Sequence, residues 1–167
     1  MKINPNLCEV IPFEDFELGW RWSENHNNNV PLADLANIKP LSTTESKRIY
    51  KAIEYFESEH RLSEAFESTE WFVASSDTQE DIAKFSECFK TLAQPYDENL
   101  YISWNRKTCL YTTKEIFIAY WDDFCYPSSD NITIISELTN WVFFYNHIQV
   151  GRFWKRKLPT NSGDVFK

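Results

Sequence analysis

From Leu100 onward the chain is a succession of short aromatic and β-branched runs, "NLYISW", "TCLYTT", "NITIIS", "WVFFYN" and "QVGRFW", parted by polar turns such as Asn105-Arg106-Lys107 and Glu137-Leu138-Thr139-Asn140. Runs of this kind read as strands. Connections this short join only antiparallel neighbours, because a parallel partner needs a crossover of about a dozen residues. An antiparallel sheet in the C-terminal half is therefore the frame on which the rest must pack.

The N-terminal half is written in a different period. Ser42-Thr43-Thr44-Glu45 places a hydroxyl and a carboxylate where they can satisfy free amides at a helix start, and Ile49, Ile53 and Phe56 follow at helical spacing. This predicts a helix over 43–60. Leu62 to Phe66 extends it or begins another, and Glu70 to Ser75 has the bias of a short strand. Asp77-Thr78-Gln79-Glu80 caps a second helix over 78–92, with Ile82, Phe85, Phe89 and Leu92 as its apolar stripe and Gln94-Pro95 as its stop. Between the second and third strand runs, Thr112-Thr113-Lys114-Glu115 starts a helix over 113–124.

Residues 1–41 contain Pro5, Pro12, Pro31 and Pro40 and show no sustained period, so they read as irregular apart from a short helix within 31–38. Trp20 and Trp22 share a face if that stretch is extended. The sum is an α+β fold, an antiparallel sheet in the C-terminal half with about three helices packed on one face. Residues 1–157 form a single domain and 158–167 a loose C-terminal tail.

Aromatic residues make up 17% of the 167 residues while glycine occurs only three times, at Gly19, Gly151 and Gly163. Phosphate-cradling loops need several glycines close together, which excludes the Walker and dinucleotide-binding classes. The net charge is −8, and residues 149–167 hold Arg152, Lys155, Arg156, Lys157 and Lys167 against Asp164 alone, so the body is more acidic than the whole. Residues 54–98 carry twelve acids against Arg61, Lys84 and Lys90. Such a face repels phosphate backbones and anionic lipid, which argues against nucleic acid there and against a membrane surface. The basic and aromatic run Gly151 to Lys157 reads as an edge strand protected by its charges, able to pair with the acidic stretch of its own fold, or as a strip for single-stranded nucleic acid.

Pro5 and the acids near the start interrupt the apolar run that a secretory signal requires, and no window has the length of a membrane span, so the expected location is cytoplasmic. Cys8, Cys88, Cys109 and Cys125 form no CxxC pair and read as reduced thiols. No cofactor motif is present. Only His26, His60 and His147 are available to a metal, and none stands at helical spacing from another.

The densest chemistry lies in Tyr120-Trp121-Asp122-Asp123-Phe124-Cys125-Tyr126-Pro127-Ser128-Ser129-Asp130-Asn131. Rings beside short carboxylates anchor protein interfaces, so Trp121, Asp122, Asp123, Tyr126, Asp130, Tyr145 and His147 are the candidate partner-binding residues. The bland alternative is a helix end and turn anchored by buried rings. An enzymatic reading pairs Cys125 with His147 and Asp130, and a metal reading gathers Asp122, Asp123, Asp130 and His147.

The run Trp121 to Asp130, followed by Trp141 and the Tyr145-Asn146-His147 turn, resembles small uncharacterised bacterial proteins and, more loosely, the immunity proteins of polymorphic and contact-dependent toxin systems, over residues 100–154. The resemblance implies a small α+β cytoplasmic protein that neutralises a toxin by binding it. Charge supports the same class independently, because a basic toxin domain is steered towards an acidic, ring-rich surface. A regulatory or structural protein with another partner is the alternative.

Overall fold

The computed structural model describes residues 2–23, 30–56, 64–96 and 98–157. Three 3-10 turns, Leu7–Glu9, Phe13–Asp15 and Gly19–Trp22, precede a short helix α1 (Leu32–Leu35), strand β1 (Lys39–Pro40) and helix α2 (Thr43–Phe56). Short strands β2 (Phe66–Ser68) and β3 (Phe72–Val73) lead to helix α3 (Gln79–Ala93). Then follow β4 (Asn99–Asn105), β5 (Thr108–Thr113), helices α4 (Lys114–Ala119) and α5 (Trp121–Phe124), β6 (Ile132–Ser136), β7 (Trp141–Asn146) and β8 (Val150–Arg156). The last turn of the helix predicted over 43–60 and the tail 158–167 lie outside the described residues.

The fold is α+β, with one antiparallel sheet in the order β1-β5-β4-β6-β7-β8-β2, β3 also pairing with β8. Thus β8 is no edge strand: β7 flanks it on one side, β2 and β3 on the other. The two short strands that cover it come from a loop-rich stretch far earlier in the chain. The basic residues of β8 are engaged within the fold, Lys155 with Glu67 at 3.1 Å and Arg156 with the Thr139 carbonyl at 2.9 Å. Arg156 thereby clamps the β6–β7 turn, where Thr139 adopts φ 57°, an unfavourable backbone for a β-branched residue.

Strand alternation sends side chains to two faces, and each builds its own core. On one face Ile102, Ile134, Trp141, Phe143 and Phe153 meet Phe85 and Phe89 of α3, Phe117 of α4, and Trp121 and Phe124 of α5. Phe85 lies 4.1 Å from Trp121, and Phe89 contacts Phe117, Trp141, Phe143 and Phe153 edge-on. Each such buried ring contributes about 2–3 kcal/mol of transfer free energy. On the opposite face Ile49, Ile53 and Phe56 of α2 cover Tyr101, Cys109, Tyr111, Ile135, Val142 and Trp154.

The predicted helix over 113–124 is broken in two. Tyr120 leaves the helical region at φ −134°, ψ 30°, and its hydroxyl donates to Asp34 at 2.6 Å. The break turns Trp121 inward, where its indole N–H donates to the Ile82 carbonyl at 3.2 Å. Trp20 and Trp22 do not share a face: the stretch is a 3-10 turn, with Trp22 buried and Trp20 49% exposed. Among the described residues no helix is long and apolar enough to cross a membrane.

Candidate functional site

After α5, Pro127 ends the helix and Ser128 takes a positive φ of 67°, which folds the chain back on itself. The Ser128 amide donates to the His147 carbonyl at 2.9 Å, tying this turn to the β7–β8 hairpin. The fold-back buries the Asp130 carboxylate as a hub. It accepts from the Tyr126 amide at 2.9 Å, the Ser129 hydroxyl at 3.1 Å and the Trp104 indole at 3.3 Å. It also receives both terminal nitrogens of Arg21, at 2.7 and 3.1 Å.

Arg21 arrives from the N-terminal 3-10 turn and is itself buried. Its Nη1 also donates to the Phe124 carbonyl at 3.1 Å, and its guanidinium stands 4.2 Å from the Tyr126 ring centre, 5.5 Å from Trp20 and 5.6 Å from Trp104. This is a fork-to-fork ion pair inside an aromatic cage, the geometry in which arginine gains most. Burial acts to raise the Asp130 pKa, but the Arg21 hydrogen bond and charge, with the Tyr126 amide and Ser129 hydroxyl, hold it below the usual value.

The candidate residues separate into two groups. Trp121, Asp130 and Tyr145 are sealed in the interior. Asp122, Asp123 and Tyr126 remain partly exposed, and Trp20 packs edge-on against Tyr126 at 5.7 Å. Burial raises the Asp122 carboxyl, and burial with the Asp122 charge raises Asp123 to about 6. His147 is exposed on the hairpin, its Nδ1 3.0 Å from the Asn131 side-chain oxygen. Trp20, Arg21 and Trp104 belong to this assembly too. No local signal marks them, because Arg21 stands 109 positions from its carboxylate.

Cys125, His147 and Asp130 form no relay. Cys125 is fully buried, which pushes its thiol well up, an effect the Asp130 charge increases; Asp130 is committed to Arg21, and the His147 ring to Asn131. Among the described residues no group of three or more His, Cys, Asp or Glu side chains could hold a metal ion. His26 and His60 lie outside the described residues. What the arrangement offers is a surface of two rings and two carboxylates above a buried ion pair. Compared with family models, curated proteins and solved structures, the chain matches none of them.

Proposed function

We propose that this protein acts by binding another protein, without catalysis, through the acidic and aromatic surface formed by Trp20, Tyr126, Asp122 and Asp123. One observation carries the reading: Trp20 is 49% exposed yet held edge-on to Tyr126 above the buried Arg21–Asp130 pair. A large ring fixed before encounter loses little freedom on binding, which is how tryptophan anchors interfaces. The carboxylates and the net charge of −8 favour a basic partner and steer it in. The narrowest form of the proposal is an immunity-type role in which the partner is a basic toxin domain, the class implied by the resemblance of residues 100–154.

The test is affinity capture from the native cell at low and high salt, with Trp20→Ala beside the unaltered protein. The proposal expects a basic protein that is captured at low salt, weakened by salt, and weakened at least about tenfold by Trp20→Ala, as for an interface anchor. Capture that is indifferent to both changes rejects this surface. The toxin form further expects a neighbouring reading frame for a basic toxin domain, and self-poisoning when this gene is deleted. A deletion strain that stays healthy in co-culture removes that form alone.

A further inference from the structure

The sheet face that carries α2 is covered along only part of its length. Cross-strand register places Tyr101, Ile135, Val142 and Trp154 in one row, and α2 lies on it. The next row on the same face is Ser103, Thr133, Phe144 and Arg152. Over it opens a cleft of about 500 Å³, within the range of small-ligand sites. Tyr50 of α2 and Arg106 of the β4–β5 turn stand at one end, and Trp71 of the β2–β3 loop at the other. Phe144 lies in the floor between hydroxyl and ring ends.

The lining is chemically selective. Asn105, Asn131 and Asn146 all face the cleft, and each has its side-chain oxygen occupied by a backbone amide, those of Lys107 at 2.8 Å, His147 at 3.2 Å and Ile148 at 3.2 Å. With the oxygens so engaged, the three NH2 groups are presented as donors. Ser103 spends its proton on the Asn105 carbonyl at 3.2 Å and keeps its oxygen as an acceptor. Among the described residues no Asp or Glu lines the cleft, although the chain is acidic, so no carboxylate there pairs with a cation. Arg106 pairs with Glu54 at 2.9 Å, and Arg152 at the far end of the row is turned towards β2 and the β2–β3 loop, donating to the Ser68 hydroxyl at 2.9 Å and the Thr69 carbonyl at 3.2 Å.

We infer that this cleft binds a neutral oligosaccharide of two or three sugar rings. Sugars present faces of weakly positive C–H groups, which settle on aromatic faces. Arg106 already stands 5.4 Å over the Tyr50 ring and Arg152 5.9 Å over the Trp71 ring, so the sugar stacks on Phe144 and on the faces of Trp71 and Tyr50 turned away from these guanidinium groups. Their hydroxyls accept from fixed amide donors and donate to hydroxyl oxygens, so uncharged groups placed in advance recognise them with few losses. The floor crosses β4, β6 and β7, a width of about 10 Å that suits an elongated ligand. Trp71, 47% exposed at the rim, is the outer stacking platform.

Maltotriose, cellotriose and the trimer of N-acetylglucosamine, each at about ten times a millimolar Kd, are the probes, with AMP as the anionic aromatic comparison. Backbone-amide NMR is the measurement. At least one trisaccharide shifts the amides of Ser103, Asn105, Asn131 and Thr133; Trp71→Ala weakens it about tenfold or more, and Trp20→Ala leaves it unchanged. The inference is overturned if no trisaccharide shifts these amides, if AMP binds there in their place, or if Trp71→Ala has no effect. None of these outcomes bears on capture of a protein through the Trp20 surface.

Discussion

Asp123 and Asp130 belong to one fold-back, yet their carboxyl pKa values move in opposite directions. Asp130 has partners enough to stay ionised below its usual range, whereas Asp123 has only the distant Arg21 charge against burial and the neighbouring Asp122. A lowered carboxyl pKa stabilises the fold above the unfolded value and loses that contribution as pH falls through the folded one, so the Asp130 contribution disappears only below about pH 4. A raised one does the reverse: the Asp123 contribution is complete below the unfolded value and is lost as pH rises through about 6. Asp123→Asn, which is neutral at every pH, should therefore gain about 1–2 kcal/mol over the native protein at pH 7.5 and nothing at pH 4, after allowing for partial solvent access. Urea midpoints at the two pH values measure this, and a gain that is equal at both contradicts it. Asp130→Ala leaves a buried guanidinium without its carboxylate and should cost about 3–5 kcal/mol in the same assay at neutral pH. A loss below about 1 kcal/mol would mean that the ring cage alone satisfies Arg21.

Among the elements, β8 depends on a single absent atom. A Cβ on Gly151 would stand 2.5 Å from Cε2 and 2.6 Å from Cζ of Phe143. That ring is itself packed on Phe72, Phe85 and Phe89 at 6.0, 5.6 and 5.2 Å, so it cannot swing aside without moving α3. Gly151→Ala should cost about 1–3 kcal/mol, the range for an overpacked core, and a thermal melt showing no loss would mean that the ring relocates freely. Gly151 was legible as one of few glycines, but not as the seat of Phe143. Helices α2 and α3 and the five long strands were legible because each repeats its apolar residues at its own period and carries its own caps or turns. The break at Tyr120 was not, since the Asp34 that receives its hydroxyl lies 86 positions away. The same limit hid Arg21, the flanks of β8 and the sheet-face cleft, all of which depend on register or on contacts between remote segments. Within the site, the sequence marked the ring and acid segment as chemically dense, while alternation and burial decided that Trp121, Asp130 and Tyr145 face inward.

At the scale of the molecule, one sheet serves as the floor of two cores, so neither can be dismantled without exposing the reverse side of the other. Cys109 lies in the α2 core and Cys125 in the core beneath α3, α4 and α5, both fully buried. Cys8 and Cys88 are exposed. Iodoacetamide should therefore modify two thiols of the native protein, with Cys88 slowed because partial desolvation of its sulfur, on a residue that is otherwise exposed, raises its thiol pKa, and should leave Cys109 and Cys125 untouched. As urea is added, the two protected thiols report on the two layers separately. If the shared sheet couples the layers into one cooperative unit, as in most single domains of this size, Cys109 and Cys125 become reactive at the same urea midpoint. A lower midpoint for Cys109 than for Cys125 would show that the α2 layer opens while the sheet and its helical face persist, a subglobal unfolding in which the cleft beside α2 is lost before the Trp20 surface, and the reverse order would show that the α3–α5 face opens first. Site-resolved labelling by mass spectrometry distinguishes these outcomes.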